Sequence, residues 1–507
     1  MIFSTVLPTG FANCSHGVAS DKRWLRGNTK GGQTVRSTAM QFKVQRPKSR
    51  ILSLLAGLLM IPQLGFSQAC SLDPTFNPAL NPWAAVYVVT LQPDAKILIG
   101  GAFYFIEQMP RGNVARLNPD GSLDPTFDPG TAADIDYVSA IAVQHDGKIL
   151  IGGSFASSSG TAPSNLARLN SDGTVDPGFD PDLSIDGPVN AIVVQPDGKI
   201  LLGGSFGQVD FVVRRSIARL NPDGHLDSHF DACVASSAGS GATGLALLTN
   251  GQILATGDFT FSTGLARDGI ARLNDCGDLD SVYAVSPGIN GGTAVYTLAL
   301  RNSGQAILGG NFKSYHNVGS PGIAQLTASG TVDTSFNPGL GIDDATTVFT
   351  IALQSDGKAV IGGNFTSYDG RTRYGVARIN PNGSLDESCD PGSGPDNSVS
   401  SLAIQSDGRI LVAGKFTTFD DVPRNGLARL NGDTVPVRLD QPSLINGSFQ
   451  FMFYGQSQAH YTLQASSNLT DWISIIASFA VTNVPMPLVD SAPQSSPKRF
   501  YRTVSAP

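Results

Sequence analysis

Helical periodicity is missing along the whole of this 507-residue chain, and only 15% of its residues are charged, which excludes coiled coils and disordered polyelectrolytes. Cysteine occurs five times without a CxxC pair. That spacing excludes a zinc ribbon or a thioredoxin-like motif and offers no disulfide framework, so few or no bridges are expected. His225 and His229 stand four residues apart in an extended segment, about 13 Å at ~3.3 Å per residue, too far to share a metal. Calcium loops of the D-x-[DN]-x-[DN]-G type with a distal Glu are absent, and no Ser/His/Asp, Cys/His or paired-carboxylate set stands out. Gly203–Gly207 fits G-x-S-x-G but lacks the strand-to-helix context that exposes a nucleophile. No metal, cofactor or catalytic residue is therefore expected.

Long apolar runs are also missing. The one apolar stretch near the start, Ile51–Ile61, ends at Pro62 and is too short to span a membrane, which takes ~20 residues. Lys43, Arg46, Lys48 and Arg50 precede it, and Ser67-Gln68-Ala69 follow with small residues where a signal peptidase reads. This is the pattern of a secretory leader over residues 40–69, starting at Met40 and cleaved near Ala69, with residues 1–39 an over-extended start. Ser67-Gln68-Ala69 makes a poor lipobox, so lipidation of Cys70 is the lesser alternative.

The chain carries 34 basic and 41 acidic residues. Residues 1–69 hold nine of the basic and one of the acidic, so the processed chain has 25 against 40 and stands near −15. Such a balance excludes nucleic-acid backbone binding and favours solubility outside the cell. With 57 Gly and 31 Pro, what remains is a turn-dense β protein.

That β protein repeats. Seven copies of one pattern follow each other: an apolar run, a turn ending in Gly, a strand with G-x-F, a variable stretch, A-R-L-N, a second turn, and L-D-P-T-F. Gly101, Gly153, Gly204, Gly257, Gly310, Gly363 and Gly414 mark the G-x-F positions. Each unit holds four short strand-like segments, A to D, the number in one propeller blade. Segment A is apolar on nearly every residue, as a strand buried on both faces would be. Segment D begins at Leu72, Leu123, Val175, Leu226, Leu279, Val332 and Leu385, so its first copy precedes blade one, while the seventh unit ends at Asn431-Gly432-Asp433 without one. Residues 72–79 then supply the outer strand of blade seven and close the ring, removing open edges. The fold expected is all-β: a seven-bladed propeller over residues 70–434 and a small β-sandwich-like domain over 435–507.

Strand order puts the A–B and C–D turns on one face and the B–C and D–A connections on the other. The turn face is nearly uniform, with Asp-Gly hairpins such as Asp146-Gly147 and Asp120-Gly121, and blade four departs most with Asn250-Gly251 and Cys276-Gly277. B–C segments keep one length while their content diverges, which makes this variable face the candidate binding surface. Its candidate ligand-binding residues are Arg111, Arg214, Arg215, Arg371, Arg373 and Tyr374. By contrast, the recurring strand-C arginines (Arg116, Arg168, Arg219, Arg272, Arg378, Arg429) and the aspartates opening segment D are expected to be structural, as an Arg–Asp pair or an Asp turn cap.

The run Gln195–Phe206, QPDGKILLGGSF, with Ala218–Asp227, ARLNPDGHLD, resembles the delta-60 repeat. That resemblance covers residues 72–433 and implies a β-propeller of mostly bacterial, often exported proteins with no general assigned activity. Kelch and WD40 propellers fit worse, since Trp83 is the one tryptophan in the region and no W-D dipeptide occurs. In the last 73 residues, Tyr461-Thr-Leu-Gln464, Asn468-Leu469 and Trp472, with Arg499–Arg502, resemble the small β-sandwich tails of secreted bacterial proteins. Two functions stand open at this point: a secreted, monomeric, non-catalytic binding or scaffold protein holding a glycan or protein partner on the variable face, and an extracellular hydrolase or lyase with its site in the central funnel of that face.

Overall fold

The computed structural model describes residues 69–130, 136–155, 165–180, 183–261, 266–283, 288–291, 294–319, 321–343, 346–433, 438–445, 448–454, 460–466, 471–480, 486–490 and 500–505. The expected leader and over-extended start lie outside the described residues, Ala69 excepted. No helix of the described residues is long and apolar enough to cross a membrane.

Seven antiparallel sheets of order A–B–C follow one another along the chain. In blade one they are Ala85–Leu91, Ile97–Ala102 and Val114–Leu117. In blade seven they are Val399–Ile404, Ile410–Gly414 and Leu427–Leu430. The A strands touch their neighbours all round, the first against the last, and Val89 N donates to Ser401 Oγ at 3.2 Å across that seam. Strand A is thus innermost, and apolar clusters fill the spaces between blades, as where Ala413 and Leu427 of blade seven join Val86 and Ile97 of blade one.

The Gly-Gly of strand B has two separate causes. A Cβ on Gly100 would come within 2.6 Å of Val138 in the next blade's strand A, so this glycine sets the spacing between blades. A Cβ on Gly101 would collide with the Ala85 carbonyl, where strand A bulges between Val86 and Val88.

Segment D is shorter than a full fourth strand. It meets strand C at one bridge per blade, for example Leu117 with Leu123 and Ile379 with Leu385. The reason is the aspartate that follows: Asp124 Oδ1 accepts from Thr126 N at 2.9 Å and turns the chain away from the ladder at once. Its other oxygen accepts from Arg116 Nε at 2.7 Å and Lys96 Nζ at 2.8 Å. The aspartate is therefore both turn cap and ion-pair partner. Burial alone would raise its pKa, and these donors together hold it well below the usual carboxylate range. Arg116 also lies 4.8 Å over the Phe127 ring and donates to Ser171 O in the next blade's C–D turn. The same clamp joins Arg168 to Pro222, Arg219 to Asp275 and Arg272 to Ala328.

The ring closes through the N-terminal segment. Leu72 bridges Leu430, Asp73 N donates to Arg429 O at 2.8 Å, and Arg429 Nε donates to Asp73 Oδ2 at 2.8 Å. Arg429 Nη1 then reaches Pro119 O of blade one at 2.6 Å. Residues 69–71 also replace the C–D turn that blade seven lacks: Asp390 N donates to Ala69 O as Asp128 N does to Asp172 O, and Asn431 N donates to Ser71 O. A disulfide joins Cys70 to Cys389, with Cα atoms 5.0 Å apart and both residues buried. Cysteine spacing in the sequence does not point to this pair, which only ring closure brings together.

The C-terminal residues form two three-stranded sheets, one of Arg438–Ile445, Ser448–Tyr454 and Met486–Asp490, the other of His460–Ser466, Ile473–Ala480 and Phe500–Ser505. Phe453 and Leu488 of the first share a small core with Tyr461 and Leu463 of the second, and Tyr501 Oη donates to Asp490 Oδ2 at 2.9 Å between them.

Candidate functional site

The fixed length of the B–C segments comes from a small hairpin. In blade one it pairs Phe105–Ile106 with Met109–Pro110 around Glu107-Gln108, whose φ values of 51° and 65° define a two-residue turn of the primed kind. Asp210-Phe211, His316-Asn317 and Asp420-Asp421 repeat it without glycine. A left-handed residue, Asn113 in blade one and Ser216 in blade three, then returns the chain to strand C.

In five blades the described residues show the incoming D–A connection stitched to this hairpin, in blade five by pairing of Ile289 with Tyr315. Leu80 bridges Ile106, Ile185 bridges Val209, Ile342 bridges Tyr368 and Pro395 bridges Phe419. Paired aspartates lock the contact from both sides. Asp396 Oδ1 accepts from Thr417 N at 2.7 Å and Thr418 N at 3.2 Å, while Asp420 Oδ1 on the hairpin accepts from Ser393 N at 3.0 Å. Burial would raise the Asp396 pKa, but its Thr417 and Thr418 donors bring it down overall. The variable face is thus a hydrogen-bonded layer that holds its outward side chains rigidly.

Within that layer the six candidate residues separate into two groups. Arg111 is 3% exposed, donates from Nη1 to Pro110 O at 2.7 Å and lies 3.8 Å from Asp128. Arg214 donates from Nε to Phe230 O at 3.1 Å and stands 3.3 Å from Asp231. Arg373 donates to Thr372 O at 2.8 Å and stands 3.9 Å from Asp390. Arg424, at the same repeat position, donates to Pro423 O and to Pro74 O. These arginines tie the B–C hairpin to the outer segment of their own blade, so Arg111, Arg214 and Arg373 do not form a ligand-facing set. Their burial between two loops is the physical reason, and their recurrence at one position was its sequence signal. Arg215, Arg371 and Tyr374 remain on the surface, Tyr374 at 42% exposure, and Arg371 faces Glu387 at 3.6 Å.

The outward apolar residues were not singled out from sequence. Trp83 is 86% exposed, Phe211 84% and Tyr104 60%, with Phe105 and Met109 also exposed. Trp83 lies two residues from Asn81, whose N–H donates to Phe105 O, so Trp83 and Phe105 crown the same edge of blade one. At the inner edge of the face, Tyr87 and Tyr137 meet edge to face at 5.6 Å, and Lys415 Nζ lies 5.4 Å from the Tyr87 ring. Among the described residues, no three His, Cys, Asp or Glu side chains gather as a metal site.

With this geometry in view, the family model described as "Domain of unknown function (DUF5122) beta-propeller" matches residues 92–127, 144–179, 195–230, 248–281, 302–336, 354–388 and 405–433. The chain carries seven repeats of a β-propeller family. Its seven matched repeats coincide with the seven blades, each running from an A–B turn into segment D except the last, whose D segment comes from the N-terminus. No curated protein matches the chain significantly. Among solved structures, this propeller is similar to a virginiamycin B lyase from Staphylococcus aureus at 13% identity, covering 69% of this chain and 96% of that one, TM-score 0.39. PorZ, a surface component of the type-IX secretion system of Porphyromonas gingivalis, matches at 13% identity over 87% of this chain and 60% of its own, TM-score 0.42. A gluconolactonase from Xanthomonas campestris matches at 16% identity over 73% and 99%, TM-score 0.33. At this level of similarity none of the three carries an argument about function.

Proposed function

We propose that this chain, a propeller of the delta-60 type, is a secreted, non-catalytic binding or scaffold protein that holds a glycan or an extracellular protein on its B–C/D–A face. The observation that carries the reading is the contrast between its two faces. One repeats short turns, most often Asp-Gly, while the other projects Trp83 into solvent from a D–A connection and Phe105 and Phe211 from B–C hairpins, the connections and hairpins being joined by backbone and side-chain hydrogen bonds. Exposed aromatic rings cost solvation unless something covers them, and a rigid base lowers the entropy lost when it does. Export is supported by the basic, apolar and small-residue order of residues 43–69 and by the buried Cys70–Cys389 bridge, a bond suited to an oxidising compartment.

Glycan-array and extracellular-protein screens of the purified protein test the reading, with Trp83→Ala/Phe105→Ala as the control. A ligand lost on that substitution is the expected result. Turnover on a hydrolase and lyase panel, with no ligand in either screen, would overturn it.

A further inference from the structure

Sites on a repeat scaffold arise where single blades depart from the repeat. Two positions lie close to the inner edge of the variable face: the residue bulged out of the A–B ladder and the residue between Gly and Phe of G-x-F. The first is aromatic in three blades, as Tyr87, Tyr296 and Phe349, and small or polar in the others. The second is a cation once only, at Lys415.

The two departures coincide at the junction of blades seven, one and two. Lys415 N donates to Ser398 O at 3.0 Å, which fixes its backbone next to the bulge, and its ammonium reaches across to the Tyr87 ring of blade one. The Tyr137 ring of blade two completes the cluster. Both tyrosines are half-buried and Lys415 is exposed. Lys96, Lys148, Lys199 and Lys358 are each spent on an outer aspartate at 2.8 to 2.9 Å. Lys415 has no carboxylate within ion-pair distance among the described residues. Tyr296 and Phe349 form a second edge-to-face pair at 5.6 Å in blades five and six, with uncharged Asn311 and Asn364 at the G-x-F position there.

We propose that the blade seven–one–two junction binds a uronic-acid unit of an acidic glycan, with Lys415 taking the carboxylate and Tyr87 and Tyr137 the apolar face and hydroxyls of the sugar ring. This rests on the reading that the variable face holds a glycan, and it names the class. A pyranose offers a C–H face to an aromatic ring, and a uronate carries its charge at the ring's rim, where an ammonium beside that ring can meet it. Elsewhere the chain is acidic, with 41 acidic against 34 basic residues, so an anionic ligand gains nothing from the general surface and depends on this cation.

The test is calorimetric titration of the full-chain protein with tetramers of galacturonate, mannuronate and hyaluronan, each beside its methyl ester, and with neutral cellotetraose. At least one acid is expected to bind about tenfold tighter than its ester, and Lys415→Gln to remove that preference with the melting temperature unchanged. Tyr87→Leu is expected to weaken acid and ester together. Equal binding of acid and ester, or an acid preference that survives Lys415→Gln, overturns this inference and leaves the glycan reading of the face standing. Failure of every tetramer, neutral cellotetraose included, overturns the inference and counts against the glycan reading as well.

Discussion

Cys389 occupies the outer-segment position where the other six blades place an aromatic ring, and its sulfur is bonded to Cys70 at the start of the segment that closes blade seven. In five blades that ring lies beneath an arginine, at 4.2 to 4.8 Å, as Phe127 does under Arg116 and Phe76 under Arg429. Blade six gives up this contact and uses the space to anchor the strand that completes its neighbour. In this structure the Cys70 sulfur is bonded to protein and is not a free thiol.

Removal of the bridge is expected to be costly. Cys70→Ala/Cys389→Ala should lose about 2–5 kcal/mol by chemical denaturation. Cys70→Ala/Cys389→Phe should lose less, because the ring restores packing beneath Arg378. Peptide mapping without reductant should find the residue-70 and residue-389 peptides linked.

Acid should loosen the inter-blade clamps. Asp176 and Asp227 are each brought down to about 2, since burial pushes their pKa up but Lys148 with Arg168, and Lys199 with Arg219, pull it down further. A folded pKa below the ordinary 3.8 means stability that is complete above that value and is lost as pH falls towards about 2. Urea midpoints measured from neutral to acid pH should show this decline, and Asp176→Asn/Asp227→Asn should flatten it while lowering the neutral-pH value.

Blade five has moved its arginine. Gln325 stands where other blades have Arg, and Arg301, from the A–B turn, donates to Gln325 Oε1 at 2.8 Å and reaches Gly357 O of blade six at 2.6 Å. Arg301→Gln alone should destabilise by about 1–3 kcal/mol, and Gln325→Arg alone should also destabilise because two guanidiniums then share one site. The double variant rebuilds the clamp of the other blades, so a double-mutant cycle should show favourable coupling.

The frame and the face should separate under mutation. Arg272 pairs with Asp280 at 2.7 Å and lies 4.2 Å over Tyr283, so Arg272→Ala should destabilise the fold and leave ligand preference unchanged. Gly101→Ala should destabilise by about 1–3 kcal/mol through its collision with the Ala85 carbonyl. Thermal melts and binding isotherms on the same variants check both.

Much of this architecture is legible in the sequence because its signals recur. G-x-F, A-R-L-N and L-D-P-T-F each mark one strand, and the stray copy at Leu72 reveals how the ring closes. Other features hide for physical reasons. The B–C hairpins have strands of two residues and turns such as Glu107-Gln108, which take positive φ without the glycine that advertises such turns. Segment D looks like a strand in sequence, yet Asp124 and its counterparts cap it after one bridge. The Cys70–Cys389 bond spans 319 residues, and only the closed ring makes them neighbours. Arg111, Arg214 and Arg373 looked like surface specialisation because content around them diverges, although their own position recurs.

Closure by the N-terminal segment is the claim on which the rest depends, and hydrogen exchange read blade by blade tests it most directly. In a variant lacking residues 70–79, amide protection should fall together in all seven blades, because Arg429 loses Asp73 and the seam between Val89 and Ser401 is no longer held. Loss of protection confined to blade seven, with blades one to six as protected as in the intact chain, would contradict the account.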